Sequence, residues 1–349
     1  MINHVSRRLF LGASAAAVTS LWLNGCGLGN ILTGKPALLP AVETTAGWVK
    51  STSNPVLGGS LGTCFDVCLL KEQGIYRMWF SWRPKNSVAY VESADGINWG
   101  EPTIVLGPDA ATQWEDKVNR PIVVKHLNDY HMWYTGQARG QSWIGYATSR
   151  DGRMWTRTGS EPVLLPDQGW EKVAVMSPCV IWNDTTGQYD MWYSGGEQHE
   201  PNAIGYATSF NGYTWVKHSG NPIFRTDEQS NWERHKVAAC QVIHDGEWYL
   251  MFYIGFYDEH YAYIGLARSR DGLDDWQRHP ANPIIRPGLD PDSWDYDGVY
   301  KPFAIHEDGR WLLWYNGRRK RTEQIGLTFH EGSDLEFDNP ASKSVGPEQ

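Results

Sequence analysis

An aromatic phrase occurs five times along this chain of 349 residues. The copies begin 54 to 62 residues apart and read YRMWFSW from Tyr76, YHMWYTG from Tyr130, YDMWYSG from Tyr189, YLMFYIG from Tyr249 and WLLWYNG from Trp311. Self-similarity at a long period is typical of repeat architectures, in which each copy belongs to one supersecondary unit. The repeat therefore constrains the fold more than any other feature of the sequence.

Each repeat predicts a four-stranded antiparallel meander. A strand such as NRPIVV precedes the aromatic phrase, and a strand such as IGYATS follows it. Four of these following strands lead into an Asp-Gly or Asn-Gly turn, which supplies the positive φ angles of a tight hairpin. A short strand led by proline then comes, which is tolerable at a sheet edge. Five such units predict an all-β protein, a five-bladed β-propeller, because stacked solenoid repeats are usually shorter.

The fifth unit lacks an outer strand, because no further Trp or proline-led apolar strand follows IGLTFH. A matching piece stands at the other end of the chain, where GWVKSTSNPVL from Gly47 resembles TWVKHSGNPIF from Thr214. We therefore predict that the N-terminal strand completes the last blade and closes the ring; a chance match in a loop is the alternative. The predicted propeller spans residues 47–335, and residues 336–349 form a tail.

Residues 1–26 predict a twin-arginine export signal. Arg7 and Arg8 precede an apolar stretch that is too short to span a bilayer as a stable helix. Leu23-Asn24-Gly25-Cys26 resembles a lipobox, so Cys26 would carry a lipid, with simple cleavage nearby as the alternative. Residues 27–46 would be a tether. We expect a periplasmic or cell-surface protein that contacts the membrane only through this anchor.

Composition and cysteine spacing narrow the possible ligands. A formal net charge of −9, with scattered Lys and Arg, leaves no basic stripe for nucleic acid. No sequence spacing is typical of a metal site, and no cofactor is expected. The cysteines beyond the signal lie in apolar strand patterns and are interpreted as small buried side chains: Cys64, Cys68, Cys179 and Cys240. We expect a monomer whose partner is a small or locally recognised ligand.

The loops at one end of the meanders are the candidate site. The Asp-Gly turns at the other end keep a nearly constant length, whereas the loops between second and third strands vary, and variable loops on a rigid scaffold often carry function. Trp82 and Trp143 in these loops would either stack on a sugar face or pack structurally. Further candidates for substrate binding lie in these loops and in those before the first strands: His199, His235, Asp297 and Arg318.

These repeated strands resemble those of the five-bladed propeller glycosidases, the superfamily of invertases, levansucrases, arabinanases, xylosidases and mannoside phosphorylases. The resemblance covers residues 47 to about 330. In those families an Asp on the innermost strand of the first blade is the nucleophile or base, and FDVCLL puts Asp66 there, with Val67 in place of proline. Blades two and three depart from the family pattern, since Arg120 and Met176 replace acidic residues.

A glycosidase needs two carboxyl groups, one to protonate the leaving oxygen and one to act on the anomeric carbon or its water. Met176 cannot donate a proton, so Glu197 in the blade-three loop is the predicted second catalytic group; an exposed loop acid without a role is the alternative. Weaker substitutes are Glu200, Asp297 and Glu233. Acids that each follow a repeated Trp are interpreted as structural: Glu115, Glu171, Glu233 and Asp295.

Aligned by their first strands, the five units place Asp66, Arg120, Ser177, Ala239 and Lys301 at one level around the axis. Arg120 and Lys301 would then flank Asp66, a placement that favours its ionised form. The pair would either only hold Asp66 ionised or also bind a carboxylate or phosphate. The alternative is that both side chains only form structural ion pairs. The sequence thus predicts a carbohydrate-active enzyme that hydrolyses a glycosidic bond in an oligo- or polysaccharide. A non-catalytic glycan-binding propeller and a phosphate-dependent glycoside phosphorylase are the alternatives.

Overall fold

A computed structural model of the protein describes residue 39, residues 41–197 and residues 201–338. These residues form β-strands and three short 3-10 turns, at Gly59–Leu61, Arg83–Lys85 and Gly169–Glu171. The prediction of an all-β protein is therefore confirmed. No helix in the described ranges has the length and apolar character to cross a membrane. The predicted export signal, with Arg7, Arg8 and Cys26, lies outside the described residues.

The strands of the described residues fall into five groups of four. The first half comprises β1 (Trp48–Lys50), β2 (Cys64–Glu72), β3 (Ile75–Trp82), β4 (Ser87–Ser93), β5 (Thr103–Leu106), β6 (Lys117–His126), β7 (Asp129–Ala138), β8 (Gln141–Ser149), β9 (Thr156–Arg157) and β10 (Ala174–Asn183). The second half comprises β11 (Gln188–Gly196), β12 (Pro201–Ser209), β13 (Val216–Lys217), β14 (Lys236–Asp245), β15 (Trp248–Phe256), β16 (Ala262–Ser269), β17 (Gln277–Arg278), β18 (Gly298–Glu307), β19 (Arg310–Arg319) and β20 (Thr322–Glu331).

Hydrogen bonds join these strands as antiparallel meanders: β2–β5, β6–β9, β10–β13, β14–β17, and β18–β20 with β1. A single parallel pair between Ser142 and Ala174 links the second and third groups into one larger sheet. Each group matches one sequence repeat, with the aromatic phrase in its second strand. The repeat therefore corresponds to the structural unit that it predicted.

The N-terminal strand β1 takes the outer position of the last group. It pairs antiparallel with β20, with Trp48 opposite His330. The Asn54 side chain bonds both the backbone N–H and the carbonyl of Leu327. Asn221 forms the same pair of hydrogen bonds with Tyr206 in the third group. The sequence match between these two segments thus reflects the same local structure.

The acids that follow repeated tryptophans lie in buried ion pairs, as their repetition indicated. Glu115 accepts a hydrogen bond from the Tyr134 hydroxyl at 2.7 Å and lies 2.8 Å from the Arg157 guanidinium. Corresponding pairs join an acid to a cation from an outer strand: Glu171 with Lys217, Glu233 with Arg278, and Asp295 with Lys50. Because Lys50 belongs to β1, the N-terminal strand supplies the cation that the last group would otherwise lack.

The turns at the end away from the candidate site also connect neighbouring groups. Three second-strand tryptophans donate an indole N–H to the glycine carbonyl of the next group's turn: Trp79 to Gly152, Trp133 to Gly212 and Trp192 to Gly272. Trp314 in the last group donates in the same way to Gly96 in the first, at 3.0 Å. The last and first groups are therefore neighbours in space.

The four cysteines in the described ranges are free and buried, which confirms their interpretation as core residues. The Cys68 thiol sulfur accepts a hydrogen bond from the Val123 backbone N–H at 3.2 Å, and Cys179 does the same with Val242 at 3.1 Å. Burial raises the pKa of Cys68 to about 12 and that of Cys179 to about 11. These thiols stay protonated and connect strands of neighbouring groups.

Replacing Lys50 with Met should destabilise the fold. Lys50 Nζ lies 2.6 Å from Oδ2 of the buried Asp295, and its loss leaves that carboxylate without its cation. Breaking a buried pair in this way costs about 3–5 kcal/mol of unfolding free energy. Urea unfolding followed by tryptophan fluorescence measures the loss.

Arg150→Met is the matched control, because Arg150 and Asp129 form an ion pair in which the arginine side chain is 82% exposed. Such a pair contributes about 0–1 kcal/mol. Equal stabilities of the two variants would show that β1 does not place Lys50 beside Asp295.

Candidate active site

Every first strand carries a β-bulge at the same place. The pairing register shifts between Phe65 and Cys68 in β2, and at the corresponding points of β6, β10, β14 and β18. Within each shift lies one residue with φ between 40° and 57°: Asp66, Arg120, Ser177, Ala239 and Lys301. Positive φ is uncommon for residues other than glycine, and a bulge re-aims the side chain that it carries. These are the five residues that the sequence alignment put at one level.

Side chains from the neighbouring group hold four of these bulges. In each case the backbone N–H of the bulged residue donates to a polar side chain on a second strand, and the pairs are Asp66 with Asn316, Arg120 with Ser81, Ser177 with Thr135, and Ala239 with Ser194, at 2.7 to 3.1 Å. The partner of Asp66 comes from β19 in the last group. The unusual backbone of each bulge is thus stabilised by the group beside it.

A cavity of about 260 Å³ opens beside the bulges, and we call it the bulge cavity. Its described lining includes the bulged residues Asp66, Arg120, Ser177 and Ala239. Pockets for drug-sized ligands begin at about 300 Å³. The bulge cavity therefore suits a small ligand or one unit of a longer one.

Asp66 is the most enclosed acid of this cavity, with 3% of its surface exposed. Its Oδ2 accepts a hydrogen bond from the Ser81 hydroxyl at 3.0 Å and lies 4.0 Å from Nε of Arg120. Lys301 is buried nearby but is not part of the cavity lining. Burial lowers the pKa of Lys301, whereas the negative charge of Asp66 acts to raise it. The two predicted cations do lie in the neighbourhood of Asp66.

A second acid of the bulge cavity is Glu323 in β20, which the sequence did not single out. Its Oε2 accepts a hydrogen bond from Nη2 of Arg83 at 2.7 Å. Glu323 stands in RRKRTEQ, one of the variable segments, and that is the signal that could have found it. The cavity therefore contains two carboxyl groups on different strands.

Tyr300 also lines the cavity, and it precedes the bulged Lys301 in the chain. Its hydroxyl is buried, makes no hydrogen bond of ordinary geometry with the described residues, and interacts with the Glu323 carboxylate. Burial, together with the negative charges of Glu323 and Asp66, raises the pKa of Tyr300 well above its ordinary value. The hydroxyl therefore stays protonated and available as a hydrogen-bond donor, a role that the sequence analysis missed.

Glu197, the predicted proton donor, lies elsewhere. Its side chain is 54% exposed, and its carboxylate oxygens lie 3.1 Å from the ammonium groups of Lys172 and Lys236. These hydrogen bonds lower the pKa of Glu197, which favours the ionised form and opposes proton donation. Glu197 is not part of the described lining of the bulge cavity. The geometry gives no support to a catalytic role for this residue.

Of the other predicted binding residues, some line the bulge cavity and others lie outside it. Trp82 and Arg318 line the bulge cavity, and the indole N–H of Trp82 donates to the Leu61 carbonyl at 2.8 Å. Trp143 instead packs edge-on against Trp114, with ring centroids 6.5 Å apart. His235 is exposed, and the Asp297 carboxylate accepts the Lys320 backbone N–H; neither is in the described cavity lining. His199 and Glu200 lie outside the described residues.

Comparisons with known proteins point to one superfamily. Residues 68–235 match the model of the glycosyl hydrolases family 32 N-terminal domain. An insoluble β-fructofuranosidase of Arabidopsis thaliana is 24% identical over 277 residues, which cover 69% of this chain and 44% of that enzyme. The chain is therefore similar to the β-propeller glycosidases. An uncharacterised protein of Mycobacterium tuberculosis is 31% identical over 138 residues, which cover 36% of this chain and 44% of that protein.

Solved structures of propeller glycosidases share the fold over most of their length. One comes from the family of mannoside phosphorylases that contains glycoside hydrolases targeting β-1,2-mannosidic linkages in Candida mannan. It superposes with a TM-score of 0.64 at 17% identity and covers 84% of this chain and 96% of its own. By contrast, this chain spans 44% of the length of the first curated relatives that it matches.

Replacing Ser81 or Ser194 with Ala should show which bulge contact affects stability alone and which also affects catalysis. Each serine accepts the N–H of a neighbouring bulge, so each variant should lose about 1–3 kcal/mol of unfolding free energy. Only Ser81 also donates to Asp66. Ser81→Ala alone should therefore lower the kcat of a reaction in which Asp66 takes part, by about tenfold.

Chemical unfolding and steady-state kinetics on the same preparations measure both effects. An equal fall in kcat for the two variants would show that the Ser81 hydroxyl has no specific effect on Asp66.

Proposed function

We propose that this protein is a glycoside hydrolase that cleaves a glycosidic bond of an oligo- or polysaccharide. The observation that carries the proposal is the presence of two carboxyl groups, Asp66 and Glu323, in the lining of one cavity. Glycosidases ordinarily use a pair of carboxyl groups on either side of the scissile bond. The family match of residues 68–235 supports the same chemistry.

In this proposal Asp66 acts on the anomeric carbon or on the water that attacks it. Its carboxylate is enclosed, receives the Ser81 hydroxyl hydrogen bond and lies near two cations, so it is held in a fixed orientation. Orientation of this kind contributes a large part of the rate enhancement in many enzymes. Asp66 also occupies the innermost-strand position that the family resemblance assigns to the nucleophile or base.

Glu323 is proposed to protonate the leaving oxygen. It takes the role that the sequence predicts for Glu197. Its partner Arg83 has a side chain that is 56% exposed, so substrate can displace the guanidinium from the carboxyl group. The protonated Tyr300 hydroxyl would then donate a hydrogen bond to the substrate beside both carboxyl groups.

We also infer that the five strand groups are the blades of one closed propeller. The strand β2 of the first group contacts β18, β19 and β20 of the last. The hydrogen bonds from Trp314 to Gly96 and from Asp66 to Asn316 support this contact at both ends of the strands. In a closed ring the five bulges would meet at one end of the central axis.

Export through the twin-arginine route and attachment through Cys26 remain part of the proposal. Arg7, Arg8 and the LNGC segment of the sequence support them. An exported glycosidase would meet its polysaccharide outside the cytoplasm.

The catalytic assignment predicts different effects for the two carboxyl groups. Asp66→Asn should lower kcat by about a hundredfold or more on every substrate, since it removes the group that attacks or activates water. Glu323→Gln should do the same for natural glycosides, but aryl glycosides with an activated leaving group should retain most of their rate, because they need no protonation. Release of reducing ends and of the aryl chromophore measures the two cases.

Glu197→Gln is the matched control, since it removes an exposed carboxylate outside the described cavity lining. It should leave both rates near those of the unmodified protein. A large loss in this control, with turnover retained in Asp66→Asn, would overturn the assignment of the two carboxyl groups.

The export proposal predicts that replacing Arg7 and Arg8 together with Lys blocks translocation, because the receptor reads the arginine pair. Cys26→Ser should release the protein from the membrane fraction, since it removes the lipidated thiol. Cell fractionation with immunoblotting detects both outcomes. Unchanged fractionation of the two variants would contradict this route and this anchor.

A further inference from the structure

The bulge cavity is positively charged in a protein whose formal net charge is −9. Among its described lining residues, two are acidic, Asp66 and Glu323. Four are basic: Arg83, Lys117, Arg120 and Arg318. The buried Lys301 lies outside this lining, and burial lowers its pKa, so it is not counted with the four. Positive potential in a concave site attracts anionic ligands, whatever the overall charge of the protein.

Only part of this positive charge is neutralised by protein acids. Arg83 is paired with Glu323 at 2.7 Å. Arg318 donates to the neutral backbone carbonyls of His260 and Asp297, which leaves its charge uncompensated. Lys117 is exposed and makes no side-chain hydrogen bond or ion pair with any residue that the structure describes. A site that binds only neutral sugars does not require this excess of positive charge.

Arg120 has an open face toward a ligand. Its Nε is the atom nearest to Asp66, at 4.0 Å, and its Nη1 donates to Oδ1 of Asn119 at 2.7 Å. Its Nη2 has no hydrogen-bond partner among the described residues. A guanidinium group binds a carboxylate well because its N–H groups match the spacing of the two oxygens. The bulge at Arg120 holds this side chain at the cavity rather than in the sheet face.

We propose that the sugar unit bound in the bulge cavity carries a carboxylate, as a uronic acid does, and that Arg120 and Lys117 bind this carboxylate. The inference rests on the proposed function in that both concern the same cavity, and it names the substrate class. Arg120 then has two contacts, since its Nε side faces Asp66 and its Nη2 side faces the ligand.

The test compares polysaccharides that differ only in this charge. The full chain is incubated with polygalacturonate, alginate and hyaluronan and with the carboxyl-reduced form of each, and reducing ends and binding are both measured. We expect cleavage or binding of at least one acidic polymer to exceed that of its reduced form by tenfold or more. The preference should weaken at high salt, because screening acts on partly exposed charges.

Lys117→Met and Arg120→Met should each reduce this preference by several fold. Arg150→Met is the matched control, since it removes an exposed arginine whose partner is Asp129, and neither residue is in the described cavity lining. It should leave the preference unchanged. Equal preference in all four proteins would overturn the assignment of the carboxylate to Arg120 and Lys117.

Failure of this inference can be told apart from failure of the proposed function. Cleavage of neutral polymers at rates equal to those of the acidic ones would overturn the uronic acid proposal and leave hydrolysis in place. Binding of an acidic polymer without cleavage, lost in Lys117→Met, would support the carboxylate site and overturn hydrolysis. Cleavage that requires inorganic phosphate and yields a sugar phosphate would show that the cations bind phosphate. It would overturn both the uronic acid proposal and hydrolysis. Absence of binding to every acidic polymer would also overturn the carboxylate site.

Discussion

Four of the five β-bulges depend on hydrogen bonds that cross from one group of strands to the next. A residue at positive φ in the middle of a strand is unfavourable on its own, and its backbone N–H loses its partner in the ladder. Ser81, Thr135, Ser194 and Asn316 supply that partner from the neighbouring group. The local backbone that presents Asp66 and Arg120 is therefore a product of packing between groups. Stability and site geometry rest on the same contacts.

Repetition gives the chain its scaffold, and the exceptions to repetition mark its site. The acids behind the tryptophans, the Asp-Gly turns and the buried thiols recur and serve to hold the strands together. At the bulge position the side chains instead differ, as Asp66, Arg120, Ser177, Ala239 and Lys301. Because the same bulge geometry accommodates all five side chains, a catalytic or binding residue at this position is compatible with the fold.

Electrostatics gives the cavity its chemical character. Two carboxyl groups suit glycoside hydrolysis, and the surplus of cations around them suits an anionic sugar unit. The phenol of Tyr300 is kept protonated by burial and by both acids, so it adds a donor without adding charge. Asp66 on β2 lies far along the chain from Tyr300 on β18 and Glu323 on β20, so only the fold brings these groups to one cavity.

The sequence by itself determined the all-β class, the repeat unit and the alignment of the five bulged residues, because periodic burial and turn chemistry are local properties that recur visibly. It also indicated that the N-terminal strand would join the last group, since Trp48 and Asn54 repeat a pattern found elsewhere. Only the tertiary structure decided which acid accompanies Asp66. Glu197 and Glu323 both stand in segments that vary between the repeats, but Glu197 is exposed between two lysines whereas Glu323 lies on β20 and lines the cavity. Strand pairing and the aim of each side chain make that difference, and neither is encoded in spacing along the chain.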